Sequence, residues 1–424
     1  MVAALFGTFA VALILGVPVG ISLGLASAVY LWMADIDLAV VAQFMYAGMD
    51  SFVLLCIPGF VLAGNLMNGG GITDQIVRFG NSLVGHIRGG LGLANVTGSM
   101  IFAGISGTAV AETASIGSVM IPAMRKSGYD APFAAAVTAA ASTVGPIIPP
   151  SVPMIIVGTL TGLSVGKMFL AGAVPGLLLG LGMMVTVYIL ARRRGYPKGP
   201  WAGFGEILRS SRGAFWALLM TAIILFGIVG GYFTPTEASI VSALYAFVIG
   251  LFVYKGFRLR DVPGIMLESA IGSGGLILLV GLANVFGWIL TSEQIPQAIA
   301  AAMLSLTDNK YVIILLINIL LLIVGTFMET IAALIILFPP LLAVATQVGI
   351  DPIHFATFAV LNLMIGLTTP PVGVCLFVAA NIARISLGAI SVAIWPFLVC
   401  NILILFLVSY IPAISLWLPN LLLN

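Results

Sequence analysis

Four stretches of this chain, 4–32, 52–67, 168–191 and 214–230, run on with almost no ionisable residue. A run of about 20 apolar residues matches the ~30 Å hydrocarbon core of a bilayer. Soluble domains carry about 25% charged residues, whereas here only 7% are charged and 61% are hydrophobic. Backbone polar groups in lipid must be satisfied within the protein, so only helices and closed barrels cross it. A barrel would read as short alternating segments; these runs are long and continuous. The sequence therefore predicts an all-α polytopic membrane protein. A net charge of +2 leaves no nucleic-acid footprint. No phosphate-binding G-x-x-x-x-G-K-[ST] loop is present. Cys56, Cys375 and Cys400 lie in apolar stretches without metal-ligand spacing. The start of the chain lacks a basic segment and a small-residue cleavage site, so 4–32 reads as a retained helix.

An internal repeat organises these runs. Asn65 and Gln75-Ile76 recur as Asn284 and Gln294-Ile295. Glu112-Thr113 recurs as Glu329-Thr330, each Glu followed ten residues later by a proline, Pro122 and Pro339. Gly128-x-Asp130 recurs as Gly349-x-Asp351. Pro149-Pro150 recurs as Pro370-Pro371, each pair preceded by a glycine, Gly145 and Gly366, and followed by Pro175 and Pro396. The units are 57–180 and 276–401. Around them lie an N-terminal scaffold helix and outer loop (1–56), linking helices near 214–232 and 237–254 with a basic loop 192–212 (within 181–275), and a final segment (402–424). Duplicated halves with helix breakers at matching positions point to secondary transporters.

Each unit holds a Gly/Ser/Thr-rich tip between two apolar arms, a hairpin at about 91–124 and another at about 311–347. The arm Leu91–Ser106 spans ~24 Å and Tyr311–Val324 ~21 Å, both short of a full crossing. Basic residues concentrate on the cytoplasmic side of membrane proteins. With re-entrant hairpins, nine spans and a cytoplasmic N-terminus, 14 of 16 Lys and Arg face the cytoplasm; only Lys167 and Lys310 face out. If the first hairpin crossed, the eleven from Arg125 to Arg260 would face outward. The two units are then antiparallel, an inverted repeat. Segments 73–88, 258–269 and 294–307 read as short amphipathic pieces lying along the membrane.

After each hairpin comes a broken helix, about 131–163 and 353–383, interrupted at Thr143–Ser151 and Gly366–Val372. Proline removes a donor and clashes with the preceding turn. Unwound backbone at membrane depth is tolerated only inside protein or around a watery cavity. Its carbonyls suit a hard cation, which takes six or so oxygens, and a half-helix N-terminus suits an anion. Two pseudo-symmetric sodium sites are expected: Ser106, Gly107, Thr108, Thr143, Gly145 and Pro146; and Gly325, Thr326, Met328, Gly366, Thr368 and Thr369. Sodium is the only metal expected, and no organic cofactor. An anion is expected between the tips, at Ser106, Thr108, Thr330 and Thr369. Glu112 and Glu329 are the only deep carboxylates, which marks them for function. Capping and support of the tips outweigh direct ligation for both, because a helix N-terminus favours negative charge. Arg125 reads as a positive-inside anchor.

Gly104-Ile-Ser-Gly107 matches the G-x-S-G of intramembrane serine proteases, but His86 and His354 both sit too near a surface to activate Ser106. A channel would need charged rings, and a mere scaffold needs no matched breaks. A stand-alone sodium- or proton-coupled carboxylate symporter of similar fold is the alternative transporter.

Ile57-Pro-Gly-Phe-Val-Leu-Ala-Gly-Asn65, Ser106-Gly-Thr-Ala-Val-Ala-Glu-Thr113, Gly145-Pro-Ile-Ile-Pro-Pro-Ser151 and Gly366-Leu-Thr-Thr-Pro-Pro371 together resemble the large membrane subunit of tripartite ATP-independent periplasmic (TRAP) transporters, over essentially the whole chain. The resemblance implies an elevator, in which hairpins and broken helices slide against a scaffold, driven by sodium in a bacterial inner membrane. It implies a periplasmic binding protein that delivers a carboxylate, and a small four-helix membrane subunit, here a separate chain. C4-dicarboxylates, keto acids, sugar acids and sialic acids all fit. A Lys198→Cys variant is expected to resist a membrane-impermeant maleimide until cells are permeabilised, whereas Lys310→Cys reacts in intact cells; the opposite pattern would invert this topology.

Overall fold

A computed structural model describes the whole chain apart from Asp308 and Asn424 and, within helices, the side chains of Ile105, Ser106, Ala300 and Leu306. Among the described residues, regular structure is helical, with one isolated bridge between Arg88 and Lys198. Three helices precede the repeat: α1 (Val2–Ile14), α2 (Val19–Met33) and α3 (Ala39–Met49). The first unit follows as α4 (Cys56–Gly69), α5 (Ile72–Val84), the hairpin arms α6 (Gly90–Ser106) and α7 (Ala109–Lys126), the half-helices α8 (Ala131–Ala141) and α9 (Val152–Thr161), and α10 (Val165–Arg194). Two linking helices are α11 (Gly203–Val229) and α12 (Pro235–Val248). The second unit repeats the order: α13 (Val262–Ser292), α14 (Ile295–Leu306), the arms α15 (Lys310–Phe327) and α16 (Thr330–Gln347), the half-helices α17 (Pro352–Gly366) and α18 (Val374–Ala383), then α19 (Leu387–Ala393) and α20 (Trp395–Tyr410). A last helix, α21 (Pro412–Leu422), ends the chain's described structure. Six helices among the described residues are long and apolar enough to cross a membrane, and up to eight if each bent pair is one span.

The N-terminus departs from expectation. Residues 4–32 are two helices, not one. Gly16 takes a left-handed φ of +80° and Pro18 offers no N–H, so the helix ends between them. The chain then reverses. α2 runs alongside α13 in the same direction: a Cβ on Gly24 would lie 2.8 Å from Leu282 Cδ2, and Tyr30 hydrogen-bonds Glu293 further along. α1 doubles back, placing Phe6 and Phe9 on Phe286 at 6.1 and 5.7 Å. Met1 therefore lies at the Glu293 end of α13, opposite the basic 255–260 turn. A single helix over 4–32 would have put the two at the same end of the bundle. The outer loop also contains a helix, α3, whose Phe44 stacks on Trp288 at 4.6 Å. Residues 262–269 are the opening turns of α13 rather than a separate surface piece; Pro263 sits where a helix start tolerates it.

The core is built on the first half-helices. Every residue from Phe133 to Ala141 in α8 and from His354 to Gly366 in α17 is buried. A helix apolar on all faces belongs at a centre. Each is tied to its hairpin by a buried amide: Asn95 of α6 donates to Thr138 Oγ1 of α8 at 2.7 Å, and Asn362 of α17 donates to Asn318 Oδ1 of α15 at 2.8 Å. The Pro149–Pro150 and Pro370–Pro371 peptides are both cis. Adjacent prolines do not always unwind a helix: α16 continues through Pro339–Pro340.

Where α15 crosses α17, backbone meets backbone. A Cβ on Gly366 would fall 2.6 Å from Gly325 Cα, and one on Gly325 would fall 3.2 Å from Gly366 Cα. All three atoms nearest a Gly366 Cβ are Gly325 backbone, which cannot give way as a side chain would. This contact seats the second tip at the level of the second break, well inside the protein. Gly366→Ala is expected to lower stability by about 1–3 kcal/mol through overpacking, read as an earlier melting transition in detergent; an unchanged transition would remove the contact's role. An epitope fused at Met1 is expected to share the sidedness of Lys310, and accessibility on the Lys198 side would refute the α1–α2 reversal.

Candidate functional site

The first tip is Gly107–Thr108. Gly107 adopts a left-handed φ of +63°, a conformation glycine accepts without penalty, and so ends α6. Thr108 is extended and starts α7. The tip sits on the far end of the first break: a Cβ on Gly107 would lie 3.2 Å from both Pro150 O and Val152 Cγ2.

The break is a 3-10 turn at Ser142–Val144, followed by irregular backbone to Ser151. Thr143 Oγ1 donates to Ala140 O at 2.8 Å. The Ser151 hydroxyl donates to Pro146 O and accepts from Met154 N at 3.3 Å, capping α9 and stapling the break shut. Among the described residues, the carbonyls of Thr143 and Gly145 receive no backbone N–H.

The second tip, Met328–Glu329, is extended, and Glu329 caps α16 by accepting from Ile331 N at 2.8 Å and Ala332 N at 3.2 Å. Thr326 Oγ1 donates to Leu322 O. In the second break, Thr368 and Thr369 both donate to Ile365 O at 2.9 Å. Cys375 N donates to Leu367 O across the break at 3.1 Å. The Thr368 and Thr369 carbonyls receive no backbone N–H among the described residues.

Both tips and both breaks meet around one cavity of about 40 Å³, lined by Gly107, Thr108 and Pro146 from the first unit and Glu329, Thr330 and Leu367 from the second. Of the anion candidates, Thr108 and Thr330 line this space together, and Thr330 Oγ1 is buried with no hydrogen-bond partner among the described residues. Thr369 belongs to the second break but not to this lining. The side chain of Ser106 lies outside the described residues. Among the sodium candidates, Gly107, Thr108, Thr143, Gly145 and Pro146 gather at one tip and break, and Gly325, Thr326, Met328, Gly366, Thr368 and Thr369 at the other. A 40 Å³ space holds a water or two and is too small for an organic anion as it stands.

The repeat equates Glu112 with Glu329, but their surroundings differ. Glu112 lies in the first turn of α7 and caps nothing. It is wholly buried against the first break, its Oε2 occupying the space where a Gly145 Cβ would stand. The Ser99 hydroxyl lies against its carboxylate. Beside it, Thr113 donates to Ser142 Oγ at 2.6 Å, joining the second hairpin arm to the break. Sequence reasoning missed that junction, and it missed the Asn95–Thr138 and Asn318–Asn362 ties. Lone asparagines in otherwise apolar arms were the available signal.

Comparison with known proteins places this geometry. The family described as tripartite ATP-independent periplasmic transporter, DctM component, matches residues 6–414. The sialic acid TRAP transporter large permease protein SiaM of Vibrio cholerae is 43% identical over 425 residues, covering 100% of this chain and 99% of the relative. The isethionate TRAP transporter permease protein DctMQ of Oleidesulfovibrio alaskensis is 41% identical over 420 residues, covering 97% of this chain but 65% of the relative. Among solved structures, the Alcanivorax borkumensis YdaH transporter has the same fold, with a TM-score of 0.63 at 18% identity over 88% of this chain and 87% of that one. The chain therefore belongs to the DctM component family of tripartite ATP-independent periplasmic transporters, a family of multi-pass membrane transporter subunits and not of enzymes.

Proposed function

We propose that this chain is the sodium-driven permease of a three-part importer for a small organic anion. The observation that carries the reading is the convergence of two oppositely oriented tips and two unwound helix centres on one enclosed space. Unpaired main-chain carbonyls at Thr143 and Gly145, and at Thr368 and Thr369, supply hard oxygens where a cation can replace its water. Sodium sits at the first site against Gly107, Thr108, Thr143, Gly145 and Pro146, with Ser106 completing it, and at the second against Gly325, Thr326, Met328, Gly366, Thr368 and Thr369. The anion lies between the tips at Thr108 and Thr330. Glu329 orients the second tip as its cap; Glu112 supports the first break from behind.

Tips, arms and half-helices move together as an elevator against α2, α4, α12 and α13. A binding protein in the periplasm hands over the anion, and a small four-helix membrane subunit braces the scaffold. The match to only 65% of the isethionate relative supports the second partner, because that protein has room for it in the same chain. Sialic acid and isethionate are both small organic anions, and selection among such anions rests largely with the binding protein. In this reading the basic 192–212 loop is cytoplasmic, as the positive-inside tendency supports, and Met1 is on the outer face of a bacterial inner membrane, as the α1–α2 reversal supports.

Each charge moved across 100 mV is worth ~2.3 kcal/mol. Two sodium ions entering with a monoanion carry net positive charge inward, so an inside-negative potential drives uptake. In proteoliposomes holding both membrane subunits, with loaded binding protein outside, uptake is expected to fall to background when choline replaces sodium. It is expected to rise when a potassium gradient with valinomycin makes the interior negative. Equal uptake in choline would overturn the reading.

A further inference from the structure

The repeat landmarks Asn65 and Asn284 take no part in the site above, yet each lines a crevice between the scaffold and a hairpin. The crevice at Asn65 is about 50 Å³ and polar for its size, lined by Asn65 and Asn68 of α4 facing Thr108 and Ser115 of α7. Its counterpart at Asn284 is about 460 Å³, between α3, α13 and α14 on one side and α9 and α16 on the other. A second hollow of about 220 Å³ adjoins it, sharing Ala47, Leu160 and Asn284. The inverted repeat has thus made two crevices of different size and chemistry.

We propose that the larger crevice is a binding site for one acyl chain of a membrane phospholipid, lodged between scaffold and moving unit. Its walls are Phe44, Trp288, Leu290, Ile335, Ile336 and Pro339, together with small residues. None of its lining residues carries a charge, so it offers nothing to the transported anion. The Asn284 amide is already committed, donating to Phe44 O at 2.8 Å. A trapped water needs two to four polar partners, and these walls supply too few to fill the space. Ala47, Thr291 and Pro339 are exposed at the mouth, so the crevice opens outward from the helix bundle. It follows α13 from Ala283 to Thr291, about 12 Å at 1.5 Å per residue, a length suited to part of an extended hydrocarbon chain. The Trp288–Phe44 stack stands near the Glu293 end of α13, where a bilayer interface favours aromatic rings. In hydrocarbon the surrounding solvent is itself acyl chain, and each methylene of a snug chain keeps dispersion contacts that an empty crevice would forfeit.

Gly287 tests this directly, because a Cβ there meets nothing within 4 Å. The chain, purified with its small subunit, is reconstituted with a phospholipid carrying a diazirine near the acyl terminus, irradiated, and mapped by mass spectrometry. Adducts are expected on the 283–291 and 335–340 segments, and are expected to drop to background in Gly287→Phe, which fills the crevice. Should that variant fold poorly, Gly287→Cys capped with an alkyl thiosulfonate after folding fills the same space. Gly287→Cys itself is expected to resist a charged, membrane-impermeant maleimide while Thr291→Cys reacts. Equal reactivity of the two would make the crevice aqueous, adducts indifferent to filling would place the lipid elsewhere, and adducts seen only without the small subunit would assign the crevice to that partner; each result would overturn the proposal.

Discussion

A backbone group left unpaired in hydrocarbon costs several kcal/mol, which is why membrane chains are driven to continuous helix. This protein departs from that rule in two places, and the rest of the structure makes the departures tolerable. α8 and α17 stop short at Ala141 and Gly366 and carry open carbonyls just beyond. Both half-helices are enclosed on every face, and each hairpin comes in beside its break with a tip that satisfies or covers part of the exposed backbone. Ser151 and Cys375 N close the breaks across their own ends. What remains open are a few oxygens on the inside of the protein, a favourable place to receive an ion and a poor one to leave empty.

The duplication supplied matching backbones, and the side chains then diverged. Glu329 satisfies two amides at the start of α16, the ordinary service of a carboxylate at a helix N-terminus. Its counterpart Glu112 sits in the first turn of α7, pressed against Gly145 with the Ser99 hydroxyl beside it, and caps no helix. The hairpin ties diverge as well, Asn to Thr in one unit and Asn to Asn in the other. So do the crevices at Asn65 and Asn284, about 50 and about 460 Å³. Each of these differences acts on only one half of the inverted pair, so the two halves are alike in backbone and unlike in chemistry.

Much of this was legible without coordinates because it depends on covalent facts. A proline lacks its N–H whatever surrounds it, so the breaks near Gly145–Pro150 and Gly366–Pro371 could be read from spacing alone. Lysine and arginine are costly to move through lipid wherever they occur, so their spacing carries an expectation for the sidedness of the basic loops. The family resemblance rested on the same residues that terminate the helices. By contrast, the reversal at Gly16–Pro18 was hidden inside an unbroken apolar run. The turn keeps apolar residues, Ile14 and Leu15, exposed on the outside of the bundle and carries no charge, so hydropathy carries no mark of it.

By itself, then, the sequence determined helical class, inverted duplication, the positions of both breaks and the sign of each loop. These follow from donor count, charge and length, which are local properties. Only the tertiary structure decided which oxygens are left open, that Thr108 and Thr330 share one enclosed space, that Gly325 and Gly366 touch through bare backbone, and that Glu112 and Glu329 are unlike. Those outcomes depend on which helices lie against each other, and packing in a protein whose surfaces are apolar almost everywhere is settled by shape, which no single residue announces.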